Sequence, residues 1–570
     1  MTRFVLHRGL LFGIIGMLAY GMSRPPEQET IWLQCLWLAS LPAGYLAFYE
    51  IPLRLQVNAI QRSLQALTVI MGLGFGMLSL ELLRQQVVWS KYLADSVAVN
   101  AETGETSSNV RHVMAANRVH RGSMRDRNGI TIVDTFVAPD GRTARTYPVD
   151  TPTAFAPIVG FVNPRYGVSG IEASYADYLS GSRNPLGQFF RLYRHDTVRG
   201  DDVVLTIDAA LQQSVYALLG NRVGSVVVLN PRTGAVLALA SSPTYDPRDL
   251  TPDLQADRGV DQLRLDASWQ KLLQSDAHEP LLNRALQGRY PPGSTFKVVT
   301  ASAALENAGI AQPDDITCPE NFQSEPGAPP VVNAVPNLHA MTGDPASLRS
   351  VIAFSCNTAF AQYALRLGAT RLISSAERFG FVTPEKQNAA VTLSDLQTLT
   401  SLLYVDDGFL DKSAAVADTG FGQGQLLVTP LQMALVAATI ANDGVLMQPY
   451  IVENVVNQQN APLYSHITRP IRRAVSSLNA TRIRDAMRYA VTDGFGKAAQ
   501  NQNVIAVAGK SGTAENPTGI PHAWFIAFAP ADHPLYAVAV MLEYGGEGSN
   551  AGAALAGQVL AAAAQTVGEK

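Results

Sequence analysis

The sequence predicts an α+β (α/β) domain, an antiparallel sheet flanked by helices, carried by an elongated polar segment and N-terminal transmembrane helices. Three observations predict it. Long apolar runs without charge fill the first 83 residues. Strand-like apolar runs joined by tight turns cluster at about 201–241 and again at about 503–544, and a long helical stretch, about 260–500, separates the two groups. The 570 residues suggest several folded units. Lys+Arg number 43 and Asp+Glu 47, a net charge of −4, so no global positive field exists to hold nucleic acid. Charged residues make up only 16% of the chain against about 25% in ordinary soluble domains, which places part of it in a medium drier than water.

The membrane elements come first. Residues 31–49 (IWLQCLWLASLPAGYLAFY) and 64–83 are long and apolar enough to span a bilayer, and 9–23 is a shorter third span that needs Arg8 to reach toward the headgroups. Arg3 and Arg8 precede the first run, and Arg54 and Arg62 lie between the second and third. The short loop at 23–30 holds Arg24 with Glu27 and Glu29. This distribution places the N-terminus in the cytoplasm and everything after residue 83 outside, in the cytoplasmic (inner) membrane of a cell. A cleaved signal peptide is disfavoured by the second and third runs.

Residues 84–199 are polar and turn-rich and read as a non-catalytic domain, with ITIVDTFV at 130–137 as a strand. From 200 onward the pattern changes. DDVVLTI is a strand, DAALQQSVYALLG a helix ending at Gly220, and SVVVLN and AVLALAS flank the turn Pro231 to Gly234 as a hairpin. NVIAVAGKSGTA, AWFIAFAP and LYAVAVMLEY are three further strands, followed by the Ala-rich helix AGAALAGQVLAAAAQTV.

The chemistry concentrates in RYPPGSTFKVVTASAALENAG at 289–309. Pro291, Pro292 and Gly293 break regular structure, and a helix opens at Ser294 and stops at Gly309. Lys297 lies one turn on, within about 5–6 Å Cβ to Cβ, so its amine can take the hydroxyl proton once burial or a second cation lowers its pKa. The same spacing recurs at Ser268 and Lys271 in a polar helix, so the pair is weak by itself. Ser355-Cys356-Asn357 sits in an apolar helical stretch, unlike the Ser-X-Asn copies that begin at Ser107, Ser182 and Ser477. Lys510-Ser511-Gly512-Thr513 closes a strand and contains the chain's one Lys-[Ser/Thr]-Gly. The order Ser-X-X-Lys, Ser-X-Asn, Lys-Ser-Gly is the signature set of penicillin-binding proteins and serine β-lactamases. Three cysteines are too few for a disulfide framework; Cys318 and Cys356 are either a pair formed outside the cell or two buried thiols. The nine histidines show no ligand spacing, so neither a metal nor a cofactor is expected.

With RGSMRDRNG at 121–129, GVSGIE at 167–172, LTIDAALQ at 205–212, NPRTGAVLALASSPTYDP at 230–247, GQGQLLVTPLQMA at 422–434 and HAWFIAFAP at 522–530, the chain resembles the class B penicillin-binding proteins, monofunctional peptidoglycan D,D-transpeptidases. The resemblance implies a transpeptidase domain at 200–570, a pedestal at 84–199 and an anchor at 1–83. It implies that Ser294 is acylated by the D-Ala-D-Ala end of a stem peptide, with Lys297 as base and Ser355 as proton relay. Asn357 would hold the substrate amide, and Lys510 would supply positive charge near Ser355 and the incoming carboxylate. Ser511 and Thr513 would bind that carboxylate beside Gly512, and the N–H groups of Ser294 and Thr513 would form the oxyanion hole. Lys510 nearby would also be one physical reason for a low Lys297 pKa. A β-lactam would be trapped on the same serine, and glycan strands would come from a SEDS-type membrane glycosyltransferase. The family usually has one span; three here suggest an added role for the anchor.

Two rivals share the serine and lysine. A membrane-bound β-lactam sensor of known type carries a His-Glu-X-X-His segment, whereas His278-Glu279 here is followed by Pro-Leu-Leu. A D,D-carboxypeptidase needs a positioned water and a second base, and no sequence element identifies one. The loop FGQGQ at 421–425 lacks phosphate-loop spacing and is expected to line the cleft.

Overall fold

The computed structural model describes residues 2–24, 28–50, 59–85, 89, 98–99, 106–107, 119–183, 199–274, 279–500, 505–516 and 519–567. The chain forms two compact units, Met1–Ala116 and Asn117–Lys570. Most of the polar segment between residues 86 and 118 lies outside the described residues.

In the first unit the apolar runs become helices Thr2–Met22, Glu29–Glu50 and Ala59–Leu83. Each extends beyond the apolar stretch that predicts it, because helix-forming polar residues flank the runs. Among the described residues one stretch, Ala66–Leu83, is long and apolar enough by length and composition to cross a membrane, and Gly9–Met22 is a shorter apolar helix.

Among its described residues the second unit holds two large sheets and three two-stranded ones. One has six strands in the order 462–465, 452–456, 202–205, 124–125, 131–137, 143–146. Segments far apart in sequence therefore share it: Met124 pairs in parallel with Val203, and Val452 pairs antiparallel with Leu205. The strands at 445–473 fall inside the stretch expected to be helical. They are short and little buried, VENVV at two positions and PLYS at none, so they carry no apolar run legible in the sequence. Beside this sheet Glu172 receives Arg121 Nε at 2.8 Å and Arg145 Nε at 2.5 Å. The carboxylate is 1% exposed and joins the RGS segment to the GIE segment.

The other large sheet contains the Lys510-Ser511-Gly512 segment. Its strands are β1 (Gly224–Leu229), β2 (Val236–Ser242), β3 (Ala508–Ala514), β4 (His522–Ala529) and β5 (Tyr536–Leu542), in the order β2-β1-β5-β4-β3, all antiparallel. Every residue of β1, β2, β4 and β5 is buried, which is why these strands read as continuous apolar runs. Helices α1 (Ala209–Leu219) and α5 (Ala553–Thr566) pack with Phe525, Val538 and Val540 on one face. Trp524, Ile526 and Phe528 face the other way and share a core with α2 (Lys297–Glu306), α3 (Asn357–Phe379) and α4 (Pro430–Ala441). Asp208 caps α1 by accepting from Leu211 N, and Thr429 caps α4 by accepting from Gln432 N. The last strand in this order, β3, lies beside the start of α2.

Candidate active site

The turn that carries Ser294 is shaped by its neighbours in sequence. Gly293 has φ +54°, and a Cβ there would stand 2.5 Å from the Thr513 carbonyl oxygen. Residues Gly293–Phe296 form a single 3-10 turn, closed by Thr295 Oγ1 donating to Pro292 O at 2.7 Å, and α2 begins at Lys297. The helix ends at Asn307, not at Gly309 as the glycine suggested; Asn307 leaves helical geometry, and Gly309 belongs to the following short helix Ala308–Ala311. β3 reaches this turn closely because position 512 has no side chain. A Cβ on Gly512 would lie 2.8 Å from Thr295 Cγ2 and 2.9 Å from Pro292 O. On the other side Gly422 of the FGQGQ loop packs so near that a Cβ would meet Gly293 O at 1.8 Å.

Ser355 sits in the break between helix Leu348–Ala353 and α3, with φ +57°, a conformation rare for a residue with a side chain and concentrated at functional sites. Its neighbours are held from outside. Cys356 forms a disulfide with Cys318, which decides between the pair and the two free thiols, and Asn333 Oδ1 accepts from the backbone N–H groups of Asn357 and Thr358 at 2.8 and 3.2 Å.

These segments converge on one hydroxyl. Lys297 Nζ donates to Ser355 Oγ at 3.1 Å, to Ser355 O at 2.8 Å and to Asn357 Oδ1 at 2.6 Å. Lys510 Nζ donates to the same Ser355 Oγ at 2.9 Å and to Ser511 O at 2.9 Å. Asn357 Nδ2 donates to Val332 O at 2.8 Å, and Thr513 Oγ1 accepts from Gly548 N at 3.4 Å. No direct hydrogen bond joins Lys297 to Ser294, so the spacing gives proximity while the amine points to the Ser355 segment.

The electrostatics are unusual. Lys297 is fully buried and Lys510 is 1% exposed, and neither forms an ion pair with a described residue. Burial holds the Lys297 ammonium well below the ordinary lysine range, and the nearby Lys510 charge lowers it further. The sequence left burial and a second cation open as causes; both act, and desolvation is the larger. Burial alone pushes Lys510 down to about 7. Deprotonated Lys297 keeps two N–H donors and gains a lone pair, so at one of its three contacts the amine accepts instead, and of the three partners only the Ser355 hydroxyl can donate. Asn333, Tyr290, Glu543 and Trp524 were missed. Tyr290 OH donates to Glu543 Oε1 at 2.7 Å and Trp524 Nε1 to Pro291 O at 2.9 Å, bracing the Pro-Pro-Gly turn from behind. Apart from the apolar surroundings of Trp524, nothing in their local sequence marks them.

A serine in the turn that opens a helix, a buried lysine three residues on and an edge strand bearing Lys-Ser-Gly form the arrangement of the β-lactam-sensitive acyl-transfer fold. Residues 224–565 match the family described as the penicillin binding protein transpeptidase domain, and 121–203 match the penicillin binding protein A dimerisation domain. The chain is 38% identical over 452 residues to the peptidoglycan D,D-transpeptidase PbpA of Mycolicibacterium smegmatis, covering 74% of this chain and 84% of that protein. It is 31% identical over 429 residues to the peptidoglycan D,D-transpeptidase MrdA of Haemophilus influenzae, covering 69% and 62%. The structure of penicillin-binding protein A from M. tuberculosis as a ceftriaxone acyl-enzyme superposes with a TM-score of 0.69 at 33% identity, over 79% of this chain and 99% of that one. Its penicillin G acyl-enzyme gives 0.67 at 34%, over 78% and 99%. The chain belongs to the class B penicillin-binding proteins, the serine-type peptidoglycan D,D-transpeptidases.

Proposed function

We propose that Ser294 is the nucleophile that crosslinks peptidoglycan stem peptides through an acyl-enzyme, and that β-lactams are trapped on it. The observation that carries this reading is the Ser355 hydroxyl shared by two buried lysines directly behind the Ser294 turn. Neutral Lys297 takes the Ser294 proton as Oγ attacks the carbonyl of the penultimate D-alanine. The backbone N–H groups of Ser294 and Thr513 hold the oxyanion. The proton passes through Ser355 to the leaving D-alanine amine as the peptide bond breaks, and the amine of a second stem peptide then displaces Ser294 from the ester. Asn357 orients the substrate amide, and Lys510 with the Ser511 and Thr513 hydroxyls beside Gly512 receives the terminal carboxylate.

The same reading assigns residues 1–83 to a membrane anchor of three spans with a cytoplasmic N-terminus, 84–199 to a pedestal and 200–570 to an extracytoplasmic catalytic domain. A disulfide at Cys318–Cys356 supports the oxidising side of the membrane. The partner that supplies glycan strands is a SEDS-type glycosyltransferase in the same membrane. Labelled penicillin tests the nucleophile: wild type is marked covalently and Ser294→Ala is not. Labelling of Ser294→Ala to the wild-type extent removes the assignment.

A further inference from the structure

Trp524 lies between the two segments assigned to the oxyanion hole. Its backbone stands opposite Gly512 where β4 pairs with β3, one residue from Thr513. Its side chain is fully buried, and Nε1 donates to Pro291 O at 2.9 Å, three residues before Ser294. Each carbonyl that leads into the Ser294 turn is held by a different element: Tyr290 O accepts from Val428 N at 2.9 Å, Pro291 O from the indole, and Pro292 O from Thr295 Oγ1 at 2.7 Å. Pro291 and Pro292 have no N–H, so these carbonyls are the backbone groups by which the turn can be gripped. Of the three contacts only the indole's comes from the sheet that contains β3. Gly293 and Gly512 let the turn and β3 come close, but van der Waals contact sets only how near they approach. A hydrogen bond across the same gap sets how far they can part. The indole itself has little freedom: the Tyr290 ring meets it edge-on at 6.3 Å, and a Cβ on Gly548 would stand 2.2 Å from Trp524 O.

We propose that Trp524 is a positioning residue for the oxyanion hole: by holding Pro291 O while its backbone pairs with Gly512, it fixes the spacing between the N–H groups of Ser294 and Thr513. The inference rests on the acyl-enzyme reading above. Two donors stabilise an oxyanion only when both reach the same oxygen. A loosened spacing therefore weakens the transition state and the hydrogen bonds to the acyl-enzyme carbonyl while leaving the first binding of a β-lactam intact. The buried indole N–H serves rate rather than affinity.

The test uses the full chain in detergent micelles and penicillin G labelled with carbon-13 at its β-lactam carbonyl. Stopped-flow acylation separates the dissociation constant of the first complex from the acylation rate, and infrared difference spectra read the ester carbonyl of the acyl-enzyme. Trp524→Phe keeps a ring and removes the N–H. The expected result is an acylation rate lowered about tenfold or more, an unchanged dissociation constant, and an ester band moved to higher frequency as its hydrogen bonds weaken. Phe528→Leu opens space on the same face of β4 at a side chain with no hydrogen-bonding group, and should lower stability with rate and band unchanged. A wild-type rate and an unmoved band in Trp524→Phe overturn the proposal. So does an equal band shift in Phe528→Leu, which would make the effect one of packing. Should Trp524→Phe fail to fold, 3-benzothienylalanine placed at position 524 has the indole's shape with sulfur in place of N–H, and the same readings decide. A wild type that takes up no penicillin overturns the acyl-enzyme reading and this inference with it. In every outcome above wild type is acylated, so the two failures are told apart.

Discussion

Two buried lysines meet at the Ser355 hydroxyl, and the proposed mechanism requires opposite protonation states of them. Lys297 must lose its proton to act as base, while Lys510 must keep its own to attract a carboxylate. Acylation by a charged D-Ala-D-Ala mimic is therefore expected to rise with pH as Lys297 deprotonates and to fall as Lys510, at about 7 in the free protein, loses its charge. The two limbs belong to the coupled pair rather than to either residue alone. The pH dependence of kcat/KM checks this: Lys510→Ala should lose the falling limb and weaken the mimic by about tenfold or more, the scale of a charge-assisted contact. Gly512 is a steric counterpart. Gly512→Ala places a methyl group against Thr295 and Pro292 O, so stability should fall by about 1–3 kcal/mol and acylation should slow, measured by denaturant unfolding and penicillin labelling.

At the scale of elements, the break between helix Leu348–Ala353 and α3 needs support because Ser355 occupies left-handed backbone space. The Cys318–Cys356 bridge closes 38 residues of chain, and Asn333 occupies two N–H groups at the start of α3. The double variant Cys318→Ser, Cys356→Ser should lose about 2–4 kcal/mol and show a lower Tm by calorimetry. Wild type under reducing conditions should match it. Unchanged stability in both would mean that Asn333 and packing alone hold the break.

At the scale of the molecule, the Asn117–Lys570 unit has its own core, and both large sheets lie within it. A chain beginning at 117 is expected to stay folded and to be labelled by penicillin as the full protein is. Inside that unit Glu172 is the buried carboxylate between Arg121 and Arg145. Removing it leaves two largely buried guanidinium groups without their counterion, so Glu172→Ala should cost about 3–5 kcal/mol, read from chemical denaturation.

The five-stranded sheet was legible because both its faces are covered, which makes β1, β2, β4 and β5 buried throughout and predominantly apolar. The Ser294, Ser355 and Lys510 segments were legible because reactive residues stand at fixed spacing in otherwise apolar or turn-forming context. The strands at 452–465 were not, since partial burial leaves short polar-apolar mixtures without a period. Asn333, Tyr290 and Glu543 were hidden for a different reason: each acts through a partner distant in the chain, and no local pattern records that. Residue types, their order and the apolar runs were thus determined by the sequence alone. Only the tertiary structure decided that Lys297 turns toward Ser355 instead of Ser294, that Cys318 meets Cys356, and that burial outweighs Lys510 in lowering the Lys297 pKa. Direction and desolvation depend on everything packed around a group, and packing is a property of the folded chain.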